Sequence, residues 1–378
     1  MEGLGEDFPN QLLSNRMQEE ETLNSEHKKD CANCGAELKF KPGSHQLKCE
    51  YCGYEEFIEQ TKSSFEELEL QHYLKVVGEN AYTNTIDLLN CKHCGANQHV
   101  EENYKSLSCV YCGEPLIRED VEREGWILPG ALVPFQLDSK KARGIFKNWV
   151  NGIWFAPSKL KRAALDPEGL HGLYVPYWTF DANLFAAYHG QRGDYYYETQ
   201  RVRTKNGIQT RQVRKTRWSS ASGSVKGFID DILINASHKK RRDIPTKIAF
   251  WDTKKLVAFN SKYLSGFVTE KYTVSLKEGH HQSFQEAKHI AHNWIRRDIG
   301  GDTQRISHAD IKLADETFKH ILLPVYISSY RYNGKEYHFS INGQTGTLSG
   351  TRPYSFWKIF FLVLFIIAVI AVIAIFAE

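Results

Sequence analysis

A chain of 378 residues with 42% hydrophobic and 25% charged side chains has the means to bury a sizeable core, which excludes a disordered or fibrous protein. Its formal charge of +3 is close to neutral, so total charge excludes no class of partner, and only the placement of charge is informative.

Residues 1–30 hold eight acidic and three basic residues and few large apolar ones, the composition of a disordered acidic lead-in. They lack the apolar stretch of a secretory signal peptide. The next segment, CANCGAELKFKPGSHQLKCEYCG, starts at Cys31, and its cysteine frame returns at Cys91 as CKHCGANQHVEENYKSLSCVYCG. Both read Cys-x2-Cys, fourteen residues, Cys-x2-Cys. Together they use all eight cysteines: Cys31, Cys34, Cys49 and Cys52, then Cys91, Cys94, Cys109 and Cys112. Two such knuckles facing each other suit a tetrahedral Zn2+ site. A glycine follows each knuckle, at Gly35, Gly53, Gly95 and Gly113, where positive φ turns backbone N–H groups toward the sulfurs.

An even cysteine count also suits disulfides in an exported protein. The missing signal peptide and the C-terminal segment described below favour metal, and iron fits the same thiolate cage as zinc. Four protein ligands leave no position for water or substrate, so both metals are expected to be structural. The two ribbons are predicted over 31–58 and 91–118. Each is too small to bury a core and would draw about 10–16 kcal/mol of folding free energy from its ion. His45, His93 and His99 read as ordinary loop histidines. In the linker over 59–90, SSFEELELQHYLKVVG predicts an amphipathic helix that starts at Ser63, has Glu66 at capping-box spacing, and stops at Gly78.

From 127 to 350 strand patterns alternate with occasional helices, which predicts an α+β domain with a mainly antiparallel sheet. Two stretches share an order of strand, helix with a tryptophan near its end (Trp149, Trp294), strand entered through proline (Pro176, Pro324), and aromatic hairpin. An internal duplication and chance similarity both account for it. Asn333-Gly334 and Asn342-Gly343 sit between β-rich runs and predict tight two-residue turns.

A basic hairpin is predicted over 196–222, turning at Asn206-Gly207, with Arg201, Arg203, Lys205, Arg211, Arg214, Lys215 and Arg217 on its arms. Residues 201–242 carry twelve Lys and Arg against two Asp, a local charge of +10. Three readings stand: a solvated protrusion, attraction to an anionic bilayer at about 1 kcal/mol per basic residue, or phosphate binding on nucleic acid. Single-strand binding calls for interleaved aromatics, and this arm supplies only Trp218.

No phosphate loop, dinucleotide fingerprint, nucleophile elbow or His-Glu-x2-His helix occurs, so no enzyme is indicated. His281, Gln285, His289 and His292 share one face of a predicted helix but lack a further ligand, and a solvated His-rich helix is the simpler reading.

Residues 359–377, IFFLVLFIIAVIAVIAIFA, are nineteen apolar residues in succession, about 28 Å of helix against a hydrocarbon core of roughly 30 Å. A transmembrane helix is predicted over 356–377, started by Pro353. Tyr354, Phe356 and Trp357 stand at the interface, and Arg352 and Lys358 lie on the side that stays cytoplasmic. The expectation is a single-pass, tail-anchored protein whose bulk faces the cytoplasm. Ala368, Ala371, Ala374 and Ala377 outline a small-residue ridge, although steps of three drift around a helix.

The paired ribbons with CGA and CxYCG, the strand YVPYWTFDA, the stretch LLPVYISSYRYNGKEYHFSINGQTG and the final apolar helix resemble one bacterial family. Its members are known as TFIIB-type zinc-ribbon proteins, and are also labelled primosomal protein N′ (replication factor Y) or superfamily II helicase-like. The resemblance runs from residue 31 to about 377, and Asn342 to Gly346 is its most specific part. The chain lacks the length and phosphate loop of a helicase motor. Relatives of this family are associated with membrane-stress modules containing phage-shock-protein-A-like and flotillin-like partners. That implies a non-enzymatic adaptor recruiting soluble proteins to the inner membrane face. The second reading is a membrane-tethered nucleic-acid-binding protein.

Overall fold

The computed structural model describes residues 29–59, 67–76, 84–93, 96–99, 107–111, 114–116, 121–153, 170–204, 207–237, 246–332, 335–352 and 354–377. The acidic lead-in before residue 29, Ser63, Glu66 and Gly78 lie outside them.

The first cysteine frame contains β1 (Leu38–Phe40), β2 (Gln46–Cys49) and β3 (Glu55–Phe57), an antiparallel three-stranded sheet. Then come β4 (Leu68–Glu69) and helix α1 (Leu70–Val76). In and around the second frame run β5 (Asn84–Asn90), just before it, β6 (Asn97–His99), β7 (Leu107–Ser108), β8 (Pro115–Leu116) and, after it, β9 (Val121–Trp126), paired as β6-β5-β9 and β7-β8. The body follows with β10 (Ala131–Leu132), α2 (Ser139–Gly152), β11 (His171–Thr204), β12 (Gly207–Asn235), β13 (Val257–Ala258) and β14 (Val268–Thr269). It continues through α3 (Leu276–Ile299), β15 (Thr303–Tyr332), β16 (Lys335–Asn342) and β17 (Leu348–Gly350) to the apolar helix α4 (Phe356–Ala377). This is a mixed α/β fold whose sheets are mostly antiparallel.

Three strands dominate it. β11, β12 and β15 are 34, 29 and 30 residues long, where five or six is usual. β15 runs beside β11 from His171↔Ile327 to Gly193↔Thr303, while β12 accompanies β11 from Tyr177↔Asn235 to Thr204↔Gly207. Past Gly193, among the described residues, β11 and β12 continue alone as a two-stranded ribbon.

Side chains alternate faces along a strand, so each long strand has two faces to cover. At the His171 end, Tyr174, Leu322 and Tyr326 on one face pack with Phe40 and Leu47 of the first cysteine frame and with Phe146 of α2. On the opposite face, Leu173, Val175, Ile321 and Leu323 pack with Cys91, Cys109, Val110 and Tyr111 of the second frame. Farther along, Trp178, Phe180, Leu184 and Tyr188 meet Ala287, Ala291, Ile295 and Ile299 of α3.

α3 begins at a capping box in which Ser275 Oγ accepts from the Glu278 N–H and the Glu278 carboxylate accepts from the Ser275 N–H. Its seat against the sheet is close because glycines stand under indoles. A Cβ on Gly279 would come within 2.8 Å of Trp178, and one on Gly227 within 2.8 Å of Trp294.

The sequence reading differs from the structure in three places. The linker helix is confined to Leu70–Val76, because Leu68 and Glu69 pair as a strand with Phe318 and Thr317 of β15. Thr204 pairs with Gly207, so Gly207 already belongs to β12, while Lys205 and Asn206 of the expected turn lie outside the described residues. Asn342-Gly343 is not a two-residue turn. Asn342 is fully buried, its Oδ1 accepts from the Gln344 and Thr345 N–H groups, and its Nδ2 donates to the Ile248 and Phe250 carbonyls, building a longer loop closed by Gly346 at φ +78. The other expected turn, at residues 333 and 334, lies outside the described residues, between Tyr332 and its partner Lys335.

His320 sits under Trp178 and α3, 2% exposed, hydrogen-bonded through Nδ1 to the Ile127 carbonyl. Burial pulls it down to about 4 from 6.5. Between those values the unfolded chain takes up a proton that the folded chain refuses, so stability is intact above pH 6.5 and falls as pH drops toward 4. The slope is about 1.4 kcal/mol per pH unit for this group, roughly 3 kcal/mol in all. His320→Gln, which keeps a donor for Ile127, should lose this component when denaturation midpoints of the two proteins are compared from pH 7.5 to 5.

Candidate metal centre

The chemistry-bearing side chains that come together are Cys31, Cys34, Cys49 and Cys52. Their sulfurs all lie within 4.8 Å of one another, with Cys31 and Cys52 at 3.5 Å and Cys34 and Cys49 at 3.5 Å. A tetrahedral ion with metal–sulfur bonds of 2.3 Å has sulfur–sulfur edges of about 3.8 Å, so the group is already near the size of its cage. A disulfide needs about 2.05 Å, and the six described cysteines are free thiols.

The two knuckles are built alike. The Cys31 N–H donates to the Ala36 carbonyl at 2.7 Å and the Cys49 N–H to the Tyr54 carbonyl at 2.8 Å. Gly35 and Gly53 donate back to Cys31 and Cys49 at 2.8 and 3.1 Å, which their φ values of +71 and +76 permit. The Ala36 and Tyr54 N–H groups then point at the sulfurs of Cys34 and Cys52. The Tyr54 N–H pulls the Cys52 thiol down to about 6. The Ala36 N–H favours the Cys34 thiolate too, but the hydrogen bonds that the Cys34 S–H donates to Cys49 and Cys52, with burial, outweigh it and push Cys34 up to about 12. Four adjacent sulfurs cannot all carry negative charge unless a cation sits among them, so metal uptake must expel protons. The donor set, spacing and inward N–H groups fit a thiolate-bound divalent ion.

This frame is fastened to the body. The Phe40 N–H donates to the Ser265 carbonyl, Ser265 Oγ to the Leu38 carbonyl, and the Gly43 N–H to the Phe135 carbonyl. Glu56 pairs with Lys29 and, at 3.6 Å, with Lys262. His45, expected as a bystander, hydrogen-bonds the Tyr263 hydroxyl at 2.8 Å. Outside these contacts, Tyr51 and Phe57 are left 88% and 72% exposed.

In the second frame Cys94 and Cys112 lie outside the described residues. Cys91 and Cys109 are buried, and each makes the knuckle hydrogen bond, to Ala96 at 2.9 Å and to Glu114 at 2.8 Å. The frame docks through Glu270, fully buried, whose carboxylate accepts from Tyr111 and Ser237 hydroxyls. Sequence reasoning missed Glu270, Tyr263 and Ser265 as anchoring residues, because nothing local marks a partner so far along the chain.

His281, Gln285 and His289 are exposed on α3 and gather no ligand set among the described residues. Asp181, Asp230 and Asp231 do converge. Both ladders shift register there, and Asp231 is turned to φ +53. The cation in that group is part of the chain: Lys319 Nζ lies 3.5 Å from Asp181 and 3.6 Å from Asp231. Burial opposes the Lys319 charge, but Asp181 and Asp231 hold its ammonium above the usual lysine range.

Helix α4 presents an 18-residue window, Phe356–Ile373, of mean hydropathy 2.9, none of it buried against the rest of the chain. By length and composition it is able to cross a bilayer.

The chain is 25% identical over 349 residues to the uncharacterized protein YdjG of Bacillus subtilis (strain 168), covering 87% of this chain and 91% of that protein. No family model and no solved structure matches it.

A Cys34→Ser/Cys49→Ser double variant should bind one metal equivalent fewer than the wild-type protein, measured by elemental analysis of purified material. Its first module should also become protease-sensitive.

Proposed function

We propose that this protein is a non-enzymatic, membrane-anchored adaptor that holds two structural zinc ions and presents docking surfaces on the cytoplasmic side of a bacterial membrane. The observation that carries the reading is α4, a 22-residue helix whose apolar window Phe356–Ile373 buries nothing against its own chain. Arg352 and Lys358 at its start favour a cytoplasmic body. Zinc is favoured by four-thiolate coordination without an open position, and the repeated knuckle hydrogen bonds at Cys91 and Cys109 support a second ion held by Cys91, Cys94, Cys109 and Cys112. The resemblance to TFIIB-type zinc-ribbon proteins agrees with this, and brings phage-shock-protein-A-like and flotillin-like proteins forward as partners. The exposed Tyr51 and Phe57 are suited to meet such a partner, since aromatic side chains concentrate binding energy at interfaces.

Alkaline carbonate extraction tests the anchor. The full chain should stay with the membrane pellet and a version ending at residue 352 should wash into the supernatant. Release of both would end this reading.

A further inference from the structure

Register shows how the long hairpin sorts its charge. Beyond Gly193, Tyr195, Tyr197 and Arg201 of β11 share a face with Trp218 and Arg214 of β12, and Arg305 of β15 joins them at the base. This face continues the side of the sheet that α3 leaves open. Both carboxylates of the ribbon lie on the other face, where Asp194 pairs with Arg192 and Glu198 with Lys215. Nearer the body the open face exposes Phe185 and Phe228, with Lys226 and Lys312 directly beside Phe185 on its two neighbouring strands. Two carboxylates stand there as well: Asp310 is held by Lys312 at 3.4 Å, and Asp315 accepts from Asn183 at 2.9 Å.

We propose that this open face is a lipid-contacting surface that lies on an anionic bilayer, with its guanidinium and ammonium groups on headgroup phosphates and its aromatic rings at the interface. The proposal rests on the reading of α4 as a membrane anchor, which confines the body to the bilayer's vicinity and raises the effective concentration of headgroups. Interfacial aromatics beside basic residues are what such a surface selects. A single-stranded nucleic acid needs open ring faces for stacking. Here the Arg214 guanidinium covers the Tyr195 ring at 4.3 Å and that of Arg305 covers Trp218 at 4.0 Å, which leaves Tyr197 as the one uncovered ring on this face of the ribbon. Those rings hold the guanidinium groups flat and leave their N–H edges for phosphate.

The proposal also fixes a posture. Helix α4 departs from β17, which lies through β16 and β15 at the His171 end of β11, while the ribbon tip at Thr204 is 33 positions away. At 3.3 Å per residue this is about 110 Å, so the ribbon reaches lipid only if the sheet lies along the membrane.

The test is tryptic cleavage at the ribbon tip, between Arg201 and Arg211, of the full chain reconstituted in phosphatidylcholine vesicles with or without phosphatidylglycerol. Phosphatidylglycerol should slow the cut about tenfold, and high salt should restore it. A K226E/R305E/K312E variant, whose cut sites are untouched, should lose the protection yet be cut at the wild-type rate in phosphatidylcholine, which shows that its fold is kept. Equal wild-type rates in the two lipids would overturn the proposal. So would protection by a single-stranded oligonucleotide without protection by phosphatidylglycerol. Carbonate release of the reconstituted chain would instead break the anchor reading, so the two failures are distinguishable.

Discussion

The pairing of β11 with β15 is the constraint from which the rest of the architecture follows. Once zipped from His171 to Gly193, these strands present apolar side chains on both faces at the His171 end. A sheet that is apolar on both sides must be covered on both sides. The two cysteine frames supply the two covers. One lays Phe40 and Leu47 against Tyr174 and Tyr326, and the other lays Val110 and Tyr111 against Leu173 and Val175. The repetition of the frame is thereby explained by geometry.

Packing stabilises these covers, and the first also carries a four-sulfur group that could hold a metal ion. A frame with three short strands buries too little on its own, and the sulfur cage closes its loop ends. Yet Leu38, Leu47 and Cys49 are fully buried because the body closes over them, through Ser265 and Phe135 on one side of the sheet as through Glu270 on the other. The frames are therefore built into the fold. On the first frame the body leaves Tyr51 and Phe57 at the outward surface.

Legibility in the sequence followed the range of the interactions. The cysteine spacing, the glycines after each knuckle and the uniform apolarity of α4 are local signals, and each was readable because its cause lies within a few residues. The docking of the frames was not readable, since His45 meets Tyr263 and Tyr111 meets Glu270 across long stretches of chain. The basic hairpin falls between these cases. Its arginines are plain in the sequence, but the aromatics interleaved with them come from the opposite strand. Only the register that pairs Tyr195 with Thr216 and Tyr197 with Arg214 places them on one face.

The same register explains where covering stops. At Asp181 both ladders of β11 slip, with Asp231 and Asp315 turned to φ +53 and +52 to absorb the extra residues. Bulges leave backbone and carboxylate groups that no regular ladder satisfies, and here Asp181 is 1% exposed. An unpaired carboxylate at that depth would cost several kcal/mol. Lys319 answers this charge, and the Asp231 N–H donates to Asp181 at 2.6 Å. The bulge line is thus a stable joint. On one side of it lies a sheet covered on both faces. On the other side, α3 covers a single face, and the second face is free to be polar and basic.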